Sequence, residues 1–515
     1  MDFKDTAARE SGKVKEKVGS KEVDCQAAVK FHMSAFSDLR IYLVYVLIAA
    51  CCFLILLAQL LPLRSLDKSQ LPCNDSVSIV SPETNLEFPI DPLSKSFLHE
   101  NIINKSSLDI SKGELRVFKP HGLAMHLFIE MGAYRGGPRV FSVVGLIAKP
   151  IQTFHKPPYV CEWVTNVGRT IKGRASKILP DWNYGRLYTV VVITCTFRVD
   201  VGVQKEGGEL VLQVSYGDQF RQPEKIVVLT ERRGQYNATM FDPPYPYDYV
   251  YCGSSLYGDV SPQRMREWLA YHAHFFGERS HFMFHDAGGF HPQVWKVLDP
   301  WIKKGRVSVQ NIQQQEIYDG YYHNQFLVVN DCLFRSRFMA NWTFFFDVDE
   351  YLHVPPTTTL DKVLNDNPNV TQITFEQVPI SNNLCVADNI TTDGHARKWA
   401  IEKLMYRKVL RSGVRYDRKY AVQARYAAAT GVHMSMNMRK GKNMYPKGYK
   451  IRYYHYHDTI NKREELCQAF VSPQNKTSLQ RHQRQNYRLD ETLAMTTQLI
   501  KDYERRTIGS LPFIV

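Results

Sequence analysis

Apolar residues along this chain fall into three regimes. The first is an unbroken run, "IYLVYVLIAACCFLILLAQLL", from Ile41 to Leu61, with Gln59 as its only strongly polar member. At about 1.5 Å of rise per residue such a helix is roughly 30 Å long, the thickness of a bilayer's hydrocarbon core. A cleaved signal peptide fits poorly, because Met1 to Arg40 precede the run, it is too long for an h-region and no small-residue cleavage site follows it. The expectation is a tail over 1–40, a single transmembrane helix over 41–61 and a Pro-, Ser-, Asn- and Asp-rich stem over 62–114.

The second regime, 115–245, consists of short β-rich runs such as "RVFSVVGLIAKP", "LYTVVVITCTFRVDVG", "GGELVLQVSYGD" and "EKIVVLTE", separated by Gly-Gly, Pro and polar turns. That pattern predicts an antiparallel β-sandwich. Trp163, Trp182 and Tyr184 are candidate platforms for stacked pyranose rings, which would make this a carbohydrate-binding module; the alternative is that they fill its core. After "DPPYPYDYV" the pattern changes again, and strands alternate with helices over 246–515. "YVYCGSSL" reads as a strand, and "SPQRMREWLAYHAHFFG" as a helix capped by Ser261 with Pro262 in its first turn. "SHFMFHDAGG", "HPQVWKVLDPWIKKG" and "RVSVQNI" continue as strand, helix and strand, and a longer helix is expected from about Tyr321 to Met339. Such alternation implies an α/β domain with a mostly parallel, Rossmann-like sheet covered on both faces.

Chemistry enters with "NWTFFFDVDEYLHVP", Asn341 to Pro355. Trp342, Phe344, Phe345 and Phe346 describe a buried central strand, so Asp347 and Asp349 emerge at its carboxyl end, where open α/β sheets place their ligands. Two charges there need a cation, a hydrogen-bond network or both. An aspartyl-nucleophile phosphatase would also place D-x-D after an apolar run, but on the first strand of its domain; here β–α units come first and Glu350 follows. The other chemistry is a sugar-nucleotide transferase in which the carboxylates hold a divalent ion against a diphosphate leaving group.

With 515 residues, a net charge of +14 and a pI near 9.1, the chain suits an anionic partner. Lys and Arg are spread without the aromatic-interleaved modules of nucleic-acid binders, so no nucleic-acid partner is expected, and an acidic polysaccharide or a nucleotide diphosphate remains. N-x-S/T sequons at Asn74, Asn104, Asn237, Asn341, Asn369, Asn389 and Asn475 all follow the apolar span, as do Cys73, Cys161, Cys195, Cys252, Cys332, Cys385 and Cys467. They predict a lumenal catalytic part with some disulfides and an odd cysteine over, in a type II membrane protein of the Golgi.

"YVYCGSSLYGDVSPQRMREWLAYHAHFFGERSHFMFHDAGG", "NQFLVVNDCLFRSRFMANWTFFFDVDEYLHVP", "ATGVHMS" and "YYHYHDT" together resemble the catalytic domain of glycosyltransferase family 92 over about residues 248–480. The layout is similar to the branch of that family that extends plant β-1,4-galactan. The resemblance implies a GT-A fold, Mn²⁺, inversion at the anomeric carbon, UDP-galactose as donor, a β-1,4-galactan or pectic acceptor and a homodimer. A UDP-arabinopyranose transferase and a non-catalytic glycan-binding protein are the alternatives. Residue by residue it implies Asp347 and Asp349 as metal ligands, with Asp347 also touching the nucleotide, and His433 as a late ligand. His455 and His457 either touch the diphosphate or pack the fold. Asp286 is expected at the nucleotide's ribose or base, and Asp331 either faces the same pocket or is an ordinary solvated acid. The catalytic base is sought among Glu402, Glu376 and Asp393, each of which would otherwise be a surface carboxylate.

Overall fold

The structure, a computed structural model, describes residues 113–512 apart from 123–125, 217–221, 388–393, 395–396, 410–416, 447, 462–463 and 472–485. The expected anchor over 41–61, Cys73, Asp393 and the sequons at Asn74, Asn104, Asn389 and Asn475 lie outside the described residues. Among the described residues no helix is long and apolar enough to cross a membrane.

The chain begins with β1 (Glu114–Leu115) and then builds a β-rich module from β2 (Lys119–His121), β3 (Phe128–Arg135), β4 (Val140–Ala148), β5 (Tyr159–Thr165), β6 (Thr170–Ile178), β7 (Tyr188–Thr196), β8 (Gly208–Val214) and β9 (Glu224–Glu231). Where the sequence predicts a sandwich, the strands form one antiparallel path in the order β2-β3-β4-β7-β6-β5-β8-β9. The path doubles back at β6, which pairs with β5 through Thr170 to Arg174 and with β7 through Arg174 to Ile178. In a flat sheet two strands flanking a third lie about 9.5 Å apart. Cys161 on β5 and Cys195 on β7 are disulfide-bonded with Cα atoms 5.7 Å apart, so the two arms face each other there. Between them sits an apolar core that includes Phe128, Phe141, Trp163, Val191 and Leu212.

The remainder supplies β10 (Tyr247–Leu256), α1 (Pro262–Phe276), β11 (Ser280–Asp286), α2 (Pro292–Lys303), β12 (Val307–Asn311), α3 (Gln325–Ser336) and β13 (Ala340–Phe345). These strands are parallel in the order β12-β11-β10-β13, and β1 joins β12 at the outer edge. The start of α1 is as its sequence dictates, with the Ser261 side chain accepting from Arg264 N and Pro262 in the first turn. Helix α3 is shorter than expected at its amino end. Tyr322, His323 and Asn324 have φ of 45°, 51° and 55°, a left-handed run that no α-helix can include.

Beyond β13 come β14 (Glu350–His353), α4 (Leu360–Asn365), β15 (Val370–Pro379), β16 (Leu384–Val386), α5 (Ala400–Lys403), β17 (Tyr406–Lys408), β18 (Arg418–Val422), β19 (Lys442–Met444), β20 (Arg452–His455), β21 (Ala469–Val471), β22 (Tyr487–Leu489) and α6 (Thr497–Ile508). The sheet continues from β13 as β18-β15-β20-β14, with β13·β18, β18·β15 and β20·β14 antiparallel. It is therefore parallel on one side of β13 and mixed on the other. One apolar core, with Trp268, Phe282, Trp301 and Phe344, fills one face. The other face packs Val250, Leu327 and Phe345 with Ile129, Val144 and Val190 of the module. Disulfides Cys252–Cys332 and Cys385–Cys467 tie β10 to α3 and β16 to the segment before β21.

Candidate active site

In this strand order the chain leaves β10 toward β11 on one side and reaches β13 on the other, which opens a crevice at their carboxyl ends. A cavity of about 410 Å³ occupies it, lined among others by Ser254, Tyr257, Tyr322, Asp347, Asp349 and His455. The two aspartates reach it because Phe346 and Val348, alternating with them, are buried. The turn is locked from both sides: Asp347 N donates to Glu350 Oε2 (2.7 Å) and Glu350 N to the Asp347 carbonyl (3.1 Å).

Each carboxylate already has company. Ser254 Oγ donates to Asp347 Oδ1 (2.8 Å) and Lys419 Nζ to Asp347 Oδ2 (2.6 Å). Burial alone would raise this carboxyl, but Lys419 and Ser254 outweigh it and hold Asp347 below the ordinary carboxylate range. Glu350, 3.6 Å from the same Lys419, is pushed up to about 7 by burial, against the pull of Lys419 and with Asp347 and Asp349 adding to it. Asp349 Oδ2 lies 3.5 Å from His455 Nε2. Burial would lower the His455 imidazole; Asp349, Glu350 and Asp347 instead carry it up to about 9. Gln377 contacts its other nitrogen, and His457 Nδ1 stands 3.2 Å from His455 Nε2.

The rim is aromatic. The Tyr257 ring stacks on His323 with centroids 3.6 Å apart, and Ser255 Oγ donates to the His323 carbonyl (2.7 Å). Beside the left-handed run at Tyr322, Tyr321 meets Tyr184 of the module at 6.5 Å, and Trp182 meets Phe326 at 6.0 Å. Trp182 and Asn183 have positive φ as well, 49° and 66°. Such backbone is costly and gathers where function requires a fixed presentation. Trp182 and Tyr184 are 59% and 65% exposed, whereas Trp163 is a core residue.

The structure brings Asp347, Asp349, His455 and His457 together and places the other candidates elsewhere. Asp286 shapes the β11–α2 turn, accepting from Gly288 N, Phe290 N and Gln313 Nε2 (2.9, 3.1 and 3.3 Å). Asp331 does not face the pocket. It is fully buried on the module side of α3, 3.0 Å from Arg116 and bonded by the Tyr134 hydroxyl, with His285 Nε2 at 3.4 Å. Glu402 caps α5 by accepting from Trp399 N (2.7 Å) and takes Lys501 Nζ at 2.7 Å. Glu376 lies 3.5 Å from Arg418 on the wall of a second cavity. His433 is exposed, its Nδ1 3.0 Å from the Arg418 carbonyl. Lys419 and Ser254 are the members that sequence reasoning missed. In "RKYAV" Lys419 looks like any solvated strand residue, and only the β13·β18 pairing delivers it to Asp347.

Asp349 and His455 set one carboxylate oxygen beside one ring nitrogen, and a divalent ion such as Mn²⁺ would be held there by displacing the proton that His455 carries. Asp347 is less free, since Ser254 and Lys419 occupy both of its oxygens. Among the described residues no group of three or more His, Cys, Asp or Glu is arranged to hold a metal. An ion at this pair would take its remaining ligands from a bound molecule or water.

Residues 247–505, from the first residue of β10 into α6, match the family model for glycosyltransferase family 92. Three proteins of Arabidopsis thaliana are similar over most of their length: galactan beta-1,4-galactosyltransferases GALS1, GALS3 and GALS2, at 52%, 46% and 47% identity. The alignments cover 77%, 76% and 76% of this chain and 79%, 78% and 76% of those proteins. A switch-point cavity with paired carboxylates, and these matches, lead to one assignment: the chain belongs to glycosyltransferase family 92.

Proposed function

We propose that this chain transfers galactose from UDP-galactose to the non-reducing end of β-1,4-galactan through a GT-A domain, inverting the anomeric carbon. The observation that carries the reading is the D-V-D turn at the cavity, Asp347 neutralised by Lys419 and Asp349 set against His455. A diphosphate brought to a bare triplet of carboxylates would be repelled. Lys419 removes that obstacle for Asp347 and Glu350. A divalent ion held by Asp349 and His455 would offset the charge that collects on the diphosphate as the glycosidic bond breaks. Gln377 fixes the ring of His455, so its second nitrogen keeps its aim at Asp349 and the cavity.

On the acceptor side, exposed Trp182 and Tyr184 continue the aromatic rim from Tyr321 and Tyr322 onto the module. Exposed rings of this kind stack on pyranose faces one at a time, which supports reading the module as carbohydrate-binding. The disulfides support a Golgi-lumen placement behind an anchor at 41–61.

The test incubates the full chain with Mn²⁺, UDP-galactose and a β-1,4-galactan oligosaccharide, and follows product length by mass spectrometry. Growth in steps of one hexose, lost on chelation and in Asp349→Asn, is expected. Binding of the oligosaccharide without consumption of donor would replace the transferase reading with that of a glycan-binding protein.

A further inference from the structure

A second cavity, of about 320 Å³, is walled by Arg407, Lys408, Arg452 and Arg488, with Glu376 as its acidic member. Its position is set by β15: Glu376 and Gln377 line it, and Gln377 touches His455, which lines the first cavity. Whatever sits in the second cavity is thus one side chain away from the reaction centre.

The charge here is unbalanced. Arg407 and Arg488 are directly opposite each other on the two-stranded β17·β22 ladder, where like charges repel. Asp490, 3.6 Å from Arg407 Nε, answers part of that charge, and Glu376 is engaged by Arg418. Among the described residues neither Lys408 nor Arg488 has an ion-pair partner. The Nε of Arg452 is buried without a hydrogen-bond partner. A small ladder that sets two guanidinium groups side by side, beside a void, is short of an anion.

We infer that this groove is an acceptor subsite for acidic sugar: it takes the carboxylate of a uronate residue in the glycan whose neutral end is extended at the first cavity. The inference rests on the transferase reading above. Planar guanidinium forks match a carboxylate in a bidentate way, and a uronate is the form in which a polysaccharide carries such a group on its rings. A phosphate would satisfy the same donors, so the two sources have to be separated by experiment.

Calorimetry on the full chain, with a galacturonate hexamer against its carboxyl-reduced counterpart, reads the groove without any turnover. The acidic hexamer is expected to bind about 10-fold more tightly than the neutral one, and the preference to vanish in Arg488→Ser and weaken with added salt. Arg488 is exposed, so this variant keeps the fold; Arg488→Lys, which retains the charge, keeps part of the preference. Equal affinity for the two hexamers, or an undiminished preference in Arg488→Ser, overturns the inference. So does displacement of the acidic hexamer by an equal concentration of inorganic phosphate, which would mark a phosphate site. Loss of hexose transfer onto neutral galactan with the preference intact would count against the transferase reading alone.

Discussion

Asp331 and Asp347 are two carboxylates, the first fully buried and the second with 36% of its side chain exposed, each set against a buried cation, and they end in opposite situations. Asp331 meets Arg116, Tyr134 and His285 in a closed cluster between the module and α3. Asp347 meets Lys419 and Ser254 at the wall of a cavity. In both, burial works against the charge and a cation outweighs it, so each carboxyl is held below its ordinary range. The difference is the void. A closed cluster spends its charge on holding two parts of the chain together, whereas an open one keeps a neighbour, Asp349, facing a ligand.

The comparison breaks if both sites respond alike to substitution. The largest effect is expected from Asp331→Asn, which leaves Arg116 buried without its counter-ion. It should cost about 3–5 kcal/mol of stability, read as a lower denaturation midpoint, while kcat per folded molecule holds. Asp349→Asn should do the reverse, losing about 100-fold or more in kcat, about 3 kcal/mol, with the midpoint in place. A drop in midpoint for Asp349→Asn as large as for Asp331→Asn would erase the distinction.

A buried polar group without a countercharge sharpens it. His272 Nδ1 donates to the Trp268 carbonyl (2.9 Å), and Nε2 accepts from Leu352 N (3.3 Å). Burial drives its pKa down to about 3, with the Trp268 carbonyl pulling weakly the other way. The unfolded chain takes up this proton near pH 6.5 and the folded chain does not. The stability is therefore whole above pH 6.5 and declines as pH falls toward 3, by about 2 kcal/mol at pH 5. Other groups titrate here too, Glu350 in the opposite sense and His353 in the same one, so the readout is a difference: from pH 6.5 to 5 the wild type should lose about 2 kcal/mol more stability than His272→Gln. The smallest effect belongs to the rim: Trp182→Ala should raise KM for long galactan about 10-fold, about 1.4 kcal/mol, with less change for a two-sugar acceptor. An equal change for both would detach Trp182 from the acceptor.

Much of this was legible in the chain, for reasons that also mark where reading stops. The cap at Ser261 and Pro262 and the carboxylates behind Phe346 are local, so neighbours in sequence are neighbours in space. Asp331 is not local: its partner Arg116 lies 215 residues away, and nothing around either residue announces the pairing. The same holds for Glu402, which reads as a free acid on a loop until Lys501, 99 residues on, returns on α6 to meet it. Lys419 is hidden by the mixed half of the sheet, where antiparallel pairing decides which strand residues meet. The amino end of α3 misleads for a different reason: apolar periodicity says nothing of the left-handed backbone at Tyr322 to Asn324.

The strand β1 has a consequence of another kind. Glu114 and Leu115 pair with Gln310 and Asn311 on β12, and Arg116 follows directly with its bond to Asp331. The polypeptide opens the catalytic sheet, leaves it to make the whole β-rich module, and returns only at Tyr247. The module is therefore an insertion between two pieces of one sheet. A protein begun at Tyr247 would bare the edge of β12 and strand Asp331 in the interior, inviting edge-to-edge association. A different binding domain put in place of this module would also have to leave β1 and Arg116 where they are.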